Sequence, residues 1–251
     1  MVDPRRAVAA LYYGLVGVLL LLAVTGTTGD VFPHQLAKHV SEDSEGLLLA
    51  LLLPAWVQYA RPRLRGSARE WPATLLAAAV VLVVGLVCYL VDGVPPKIAT
   101  LNETFLALAV LLPYAQLPRP LPRALALGLP GAVLLLVLVA SGTTLVTDLA
   151  EGLVMLVLAP LGLDVVDRDV LEGERAAPPE PVRWLWYAFL VVAPVAVSVL
   201  EGHVGGVGAT ALRYAVRVQE SFVGVLLTGL YLAVLLPAAG RRAGAGRRTP
   251  V

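Results

Sequence analysis

Long uncharged apolar runs alternate along this chain with short polar clusters, and the length of the runs predicts helices. Runs at 7–26, 73–91, 124–142 and 184–200 come close to the ~20 residues that an α-helix needs to cross a hydrocarbon core. Shorter runs lie between them at 46–60, 104–117, 152–163 and 222–239. The expected fold is an all-α integral membrane protein, with eight transmembrane helices arranged as four helical hairpins.

The same landmarks occur twice, in the same order. Gly14-Leu15-Val16-Gly17 pairs with Gly128-Leu129-Pro130-Gly131, Gly26-Thr27-Thr28 with Gly142-Thr143-Thr144, and Glu45-Gly46-Leu47 with Glu151-Gly152-Leu153. Asp92-Gly93 then returns as Glu201-Gly202, and Asn102-Glu103-Thr104-Phe105 as Gln219-Glu220-Ser221-Phe222. Offsets of 114, 116, 106, 109 and 117 residues describe two copies of one unit with small loop insertions. The expected organisation is a first four-helix repeat at 1–117, a second at 118–239 and a basic tail at 240–251. Four crossings per half make the copies parallel, related by an axis along the membrane normal.

Composition agrees with a bilayer as solvent. A chain with 58% hydrophobic residues, 15% charged residues and a mean hydropathy of +0.81 has too little polar surface to cover a soluble domain. If all eight runs cross, the N-terminus, the 61–72, 118–123 and 164–183 loops and the C-terminus share one side and hold 15 of the 19 Lys and Arg. Only Lys38, Lys97, Arg213 and Arg217 fall on the other side. The positive-inside rule then predicts a multi-pass protein of the cell membrane with both termini cytoplasmic. The first run follows Arg5 and Arg6, is long and is matched in the second half, so it is expected to stay in the mature protein. A net charge of +1 with its basic groups in cytoplasmic loops suits lipid headgroups and excludes a nucleic-acid partner. Nothing in the composition opposes assembly into an oligomer. Cys88, the single cysteine, reads as a small apolar residue within a span. The Arg- and Gly-containing tail after Pro237 is expected to be mobile.

Ten of the 18 carboxylates fall on the outer side. Glu45, Glu103, Glu151 and Glu220 each open the second helix of a hairpin, and counting back from the cytoplasmic ends sets the first three inside the apolar slab. A carboxylate at that depth costs a few kcal/mol on insertion scales and marks a candidate functional site. The plain alternative is capping. Thr100-x-x-Glu103 and Asp148-x-x-Glu151 have capping-box spacing, and an acid suits the positive end of the helix dipole. Asp92, Asp148 and Glu201 are the accessory carboxylates of the same face.

Other chemistry is thinner. His34, His39 and His203 share the outer side with Asp30 and Glu201 and would suit a divalent transition metal, but neither half repeats the other's histidines. Asp164, Asp167 and Asp169 have the composition of a Mg²⁺–diphosphate site, yet they continue into an acidic, Pro-rich linker. Nucleophile-elbow, zincin, P-loop and dinucleotide motifs are missing, which weighs against an enzyme without excluding an intramembrane one, and the sequence names no cofactor. Pro54, Pro113 and Pro160 follow their Glu by nine or ten residues, where each should free a backbone carbonyl and bend its helix. Trp71, Trp184 and Trp186 read as interfacial anchors, and Gly14 with Gly17 as a close helix contact. The leading expectation is a small transporter or channel, with the four recurring Glu residues forming a cation or proton site near the outer face. An intramembrane enzyme or lipid-handling protein is the alternative, followed by a non-catalytic subunit that docks a partner.

Overall fold

The computed structural model describes residues 2–34, 37, 40, 44–90, 102–117, 185, 188, 192 and 223–245. Among these residues the chain is helical, with no strand. The runs at 124–142 and 152–163 lie outside the described residues, as does most of 184–200, so of residues 118–239 the described part is mainly the helix at 223–239.

Helix α1, Pro4–Thr25, begins where the side chain of Asp3 accepts from Arg5 N at 3.0 Å, with Pro4 in the first turn where its missing N–H costs nothing. It ends at Gly26, whose φ of 73° is the left-handed cap conformation, with the Gly26 N–H on the Ala23 carbonyl. A single turn, α2 (Thr28–Val31), occupies the first connection. Helix α3, Ser44–Ala55, continues through a π-helical turn, Trp56–Ala60, into α4, Arg61–Leu64. Gly66, with φ 74°, turns the chain, and its N–H binds the Glu70 carboxylate at 2.7 Å at the start of α5, Glu70–Leu90. Helix α6 spans Asn102–Gln116. The last rod comprises helical residues 223–230, a second π-helical turn at Tyr231–Leu235, and α7, Leu236–Ala245.

The tail therefore differs from expectation. Helix continues past Pro237 to Ala245, because the carbonyl that Pro237 would leave unpaired, that of Ala233, already lies within a π turn and out of α register. Helix α7 also packs on α1, with the Arg5 guanidinium lying where a side chain at Gly240 would begin.

Helix α1 packs on α3 and α7, α3 on α6, and α5 most extensively on α6. Two pairs of contacts fix directions. Arg5 meets Gly240 and Tyr12 meets Tyr231, so α1 and the last rod are antiparallel. Gly46 meets Gly224 and Gln58 meets Tyr231, so α3 and the last rod are parallel. The start of α1 and the ends of α4 and α7 thus share one end of the bundle. At the Gly46–Gly224 crossing the backbones touch: a Cβ on Gly224 would stand 2.8 Å from Gly46 Cα and 2.9 Å from its carbonyl carbon. Gly14 and Gly17 make no such approach among the described residues; a Cβ on either meets open space, and Gly14 is exposed.

Polarity is distributed outward in reverse. The buried stripe of α1 is Ala9, Tyr12, Val16 and Ala23, while Leu11, Leu15, Val18 and Leu21 are exposed. On α5, Thr74 and Ala78 are buried and Leu75, Leu76, Val80 and Val83 are exposed. Water would oppose both faces, whereas hydrocarbon would not. Both α1 and residues Glu70–Val87 of α5 are long and apolar enough to cross a membrane.

Candidate functional site

Polar side chains enter this helical core at two levels. The first lies at the start of α3, where Ser44 and Glu45 are buried, Glu45 with only 4% of its surface exposed. Thr28 is buried in α2, Thr104 in the first turn of α6 and Thr228 one turn beyond the Gly46–Gly224 crossing. The hydroxyls of Thr104 and Thr228 have no hydrogen-bond partner among the described residues. Glu103 occupies the second position of α6, as Glu45 does in α3. Both residues therefore sit in helix first turns, where backbone N–H groups and the dipole favour negative charge.

Gln58 centres the second level. Its position thirteen residues after Glu45 sets the two levels about 20 Å apart along the helix. The Tyr13 hydroxyl donates to Gln58 Oε1 at 3.0 Å, and the Tyr231 hydroxyl donates to the same oxygen. Tyr12 stacks on Tyr231 with centroids 4.3 Å apart and meets Tyr13 edge-on at 5.5 Å. Tyr59 tilts against Tyr13 at 6.0 Å. Gln58 and Tyr59 come from the first π turn and Tyr231 from the second, so both widened turns face one cluster. Such turns recur at functional sites because they redirect side chains without ending the helix.

Tyr12 uses its hydroxyl differently, donating to the Ala50 carbonyl at 3.2 Å. Pro54 lies inside α3 and has no N–H to offer the carbonyl four residues earlier, which is that of Ala50. The sequence rule that a mid-helix proline frees a carbonyl is met here by a side chain from another helix. Pro113 likewise lies inside α6.

Between the levels α3 is closed by apolar packing: Leu47, Leu48, Leu49, Ala50 and Leu53 are all buried. A separate cavity of about 400 Å³ opens between the α3–α4 rod, α5 and α6, lined by Leu52, Trp56, Tyr59, Arg63, Val81 and Leu108 among others.

The remaining candidates are placed as follows. Glu151, Glu220, Asp92, Asp148, Glu201, His39 and His203 lie outside the described residues, as do Asp164, Asp167 and Asp169. His34 and Asp30 are exposed, and no trio of His, Cys, Asp or Glu able to hold a metal ion occurs among the described residues. The Tyr–Gln cluster escaped a reading that followed charges. Its signal was available, since phenols and amides inside uncharged runs have to find partners where water is excluded.

No protein-family model, no curated protein and no solved structure matches this chain.

Proposed function

We propose that the chain is a small multi-pass transporter or channel of the cell membrane, with a cation or proton site near the outer face built from Glu45, Glu103, Glu151 and Glu220. Asp92, Asp148 and Glu201 are its accessory carboxylates, and two parallel four-helix halves with cytoplasmic termini are its frame. The observation that carries this reading is the burial of Glu45 in the first turn of an apolar helix. A carboxylate within an apolar span costs a few kcal/mol on insertion scales, whereas a helix N-terminus returns roughly 0.3–1 and at most about 2 kcal/mol. Capping covers only part of that cost, and protonation, a cation or a partner side chain covers the rest. A buried carboxylate whose charge is compensated in place is one whose compensation can be coupled to movement of a solute or ion. The apolar packing between the two polar levels favours an occluded carrier over an open pore.

The test is flux in proteoliposomes holding the full-length protein, driven by a cation or pH gradient. Glu45→Gln, Glu103→Gln and Glu151→Gln keep side-chain size and most hydrogen bonding while removing charge, and each should abolish gradient-driven flux without lowering the yield of folded protein. Full flux in a folded Glu45→Gln, Glu103→Gln double variant would remove the carboxylate site and leave the carboxylates as helix caps.

A further inference from the structure

The cavity between α5, α6 and the α3–α4 rod has a composition that the transport reading does not use. Leu52, Ala77, Val81 and Leu108 make its walls apolar, and Arg63 lies on its lining. Trp56 also lines it, with an indole Nε1 that is buried and has no hydrogen-bond partner among the described residues. Arg63 is exposed and commits one N–H, from Nη1, to the Tyr59 carbonyl at 3.2 Å, which leaves four of the five guanidinium donors for other groups. Seven residues separate Trp56 from Arg63, about 10 Å along the rod. Exposed Arg65 and Arg69 follow in the turn beyond Arg63, and the exposed apolar face of α5 flanks the cavity through Leu76 and Val80.

We infer that this cavity is a binding site for one anionic glycerophospholipid of the cytoplasmic leaflet, with an acyl chain against Leu52, Val81 and Leu108 and the phosphate on Arg63. Guanidinium is suited to that phosphate because its planar fork donates two parallel hydrogen bonds to an oxyanion. The Arg63 guanidinium reaches back along the rod to the Tyr59 carbonyl, toward Trp56, and the Trp56 N–H beyond it suits the carbonyl oxygens of the glycerol esters, the acceptors that an indole seeks at a membrane interface. A free phosphate would use Arg63 and leave the apolar walls and Trp56 unpartnered. A zwitterionic lipid fills the walls but brings its own cation to Arg63. Anionic charge and an acyl chain together match the site. This inference rests on the membrane location within the proposed function and is independent of transport.

The experiment uses the full-length protein in mild detergent with an equimolar mixture of phosphatidylglycerol and phosphatidylcholine of identical chains, and reads retained lipid by native mass spectrometry. One phosphatidylglycerol should be retained in about fivefold preference, the advantage expected of one basic side chain at an anionic group. Arg63→Gln should bring that preference to unity, Arg63→Lys, which keeps the charge and loses the fork, should keep only part of it, and Arg6→Gln, away from the cavity, should leave it unchanged. Ala77→Trp, which fills the cavity, should remove both lipids. In the unmodified protein, chain-brominated phosphatidylglycerol should quench tryptophan fluorescence more than the brominated choline lipid, and Trp56→Phe should abolish the difference. Equal retention of the two lipids, full preference in Arg63→Gln, or displacement of the lipid by millimolar glycerol phosphate would each overturn the inference. Loss of the chain from membranes on alkaline carbonate washing would overturn the membrane reading with it. A chain that stays in washed membranes without lipid preference overturns this inference alone.

Discussion

The Tyr12 hydroxyl donates to the Ala50 carbonyl at 3.2 Å, and that carbonyl is the one Pro54 deprives of its backbone donor. A buried acceptor left unpaired costs roughly 1–3 kcal/mol. Tyr12→Phe keeps the ring stack on Tyr231 and removes only the donor, so it should destabilise the protein by about that amount. Pro54→Ala restores an N–H that can close the ordinary i to i−4 bond. In that background Tyr12→Phe should cost less than about 0.5 kcal/mol, the scatter expected of uncoupled sites. Denaturant titration of the four proteins in detergent measures the coupling; an equal cost of Tyr12→Phe in both backgrounds would disconnect the bond from the proline.

Gly46 and Gly224 bring two helices into backbone contact, and a methyl group at Gly224 has no room. Gly224→Ala should therefore cost on the order of 1–3 kcal/mol as the rods are pushed apart. Gly14→Ala should cost nothing and gain up to ~1 kcal/mol of helix propensity, since its Cβ meets open space among the described residues. Thermal midpoints of the two variants should move in opposite directions. A neutral Gly224→Ala would show that the crossing is looser than its geometry.

These residues also show which features a sequence exposes. The apolar runs at 7–26 and 73–91 fall largely on α1 and α5 because length and composition are local properties. Pro54 and Pro113 were legible as prolines within helices for the same reason, and Glu45 and Glu103 as first-turn residues. Pairings between distant segments were not legible. Gly46 stood out as part of a repeated Glu-Gly-Leu, yet nothing local assigns it to Gly224, while the conspicuous Gly14 and Gly17 meet no close neighbour among the described residues. Tyr12 and Gln58 carry no charge, so only the third dimension shows that one completes a broken helix and the other gathers two phenols. The π turns follow Pro54 in one rod and precede Pro237 in the other, and no single-residue preference announces them.

The side of the membrane on which each terminus lies can be tested from two independent observations. Arginine counting gives 15 of 19 basic residues to the side that would hold both termini. Packing of Arg5 at Gly240, with α1 antiparallel to the last rod, sets the start of the first helix beside the end of the last. Both favour an even number of crossings. In a Cys88→Ala background, single cysteines at Ser67, in the turn after α4, and at Thr249 should be shielded from a membrane-impermeant thiol reagent in intact cells and labelled once the cells are opened. Cysteine at Ala99, in the expected outer connection, should be labelled in intact cells. Labelling of the Thr249 position from outside, with Ser67 still shielded, would require an odd number of crossings. The eight-helix arrangement and the pairing of its two halves would then both fall, because parallel repeats of four helices cannot deliver the termini to opposite faces.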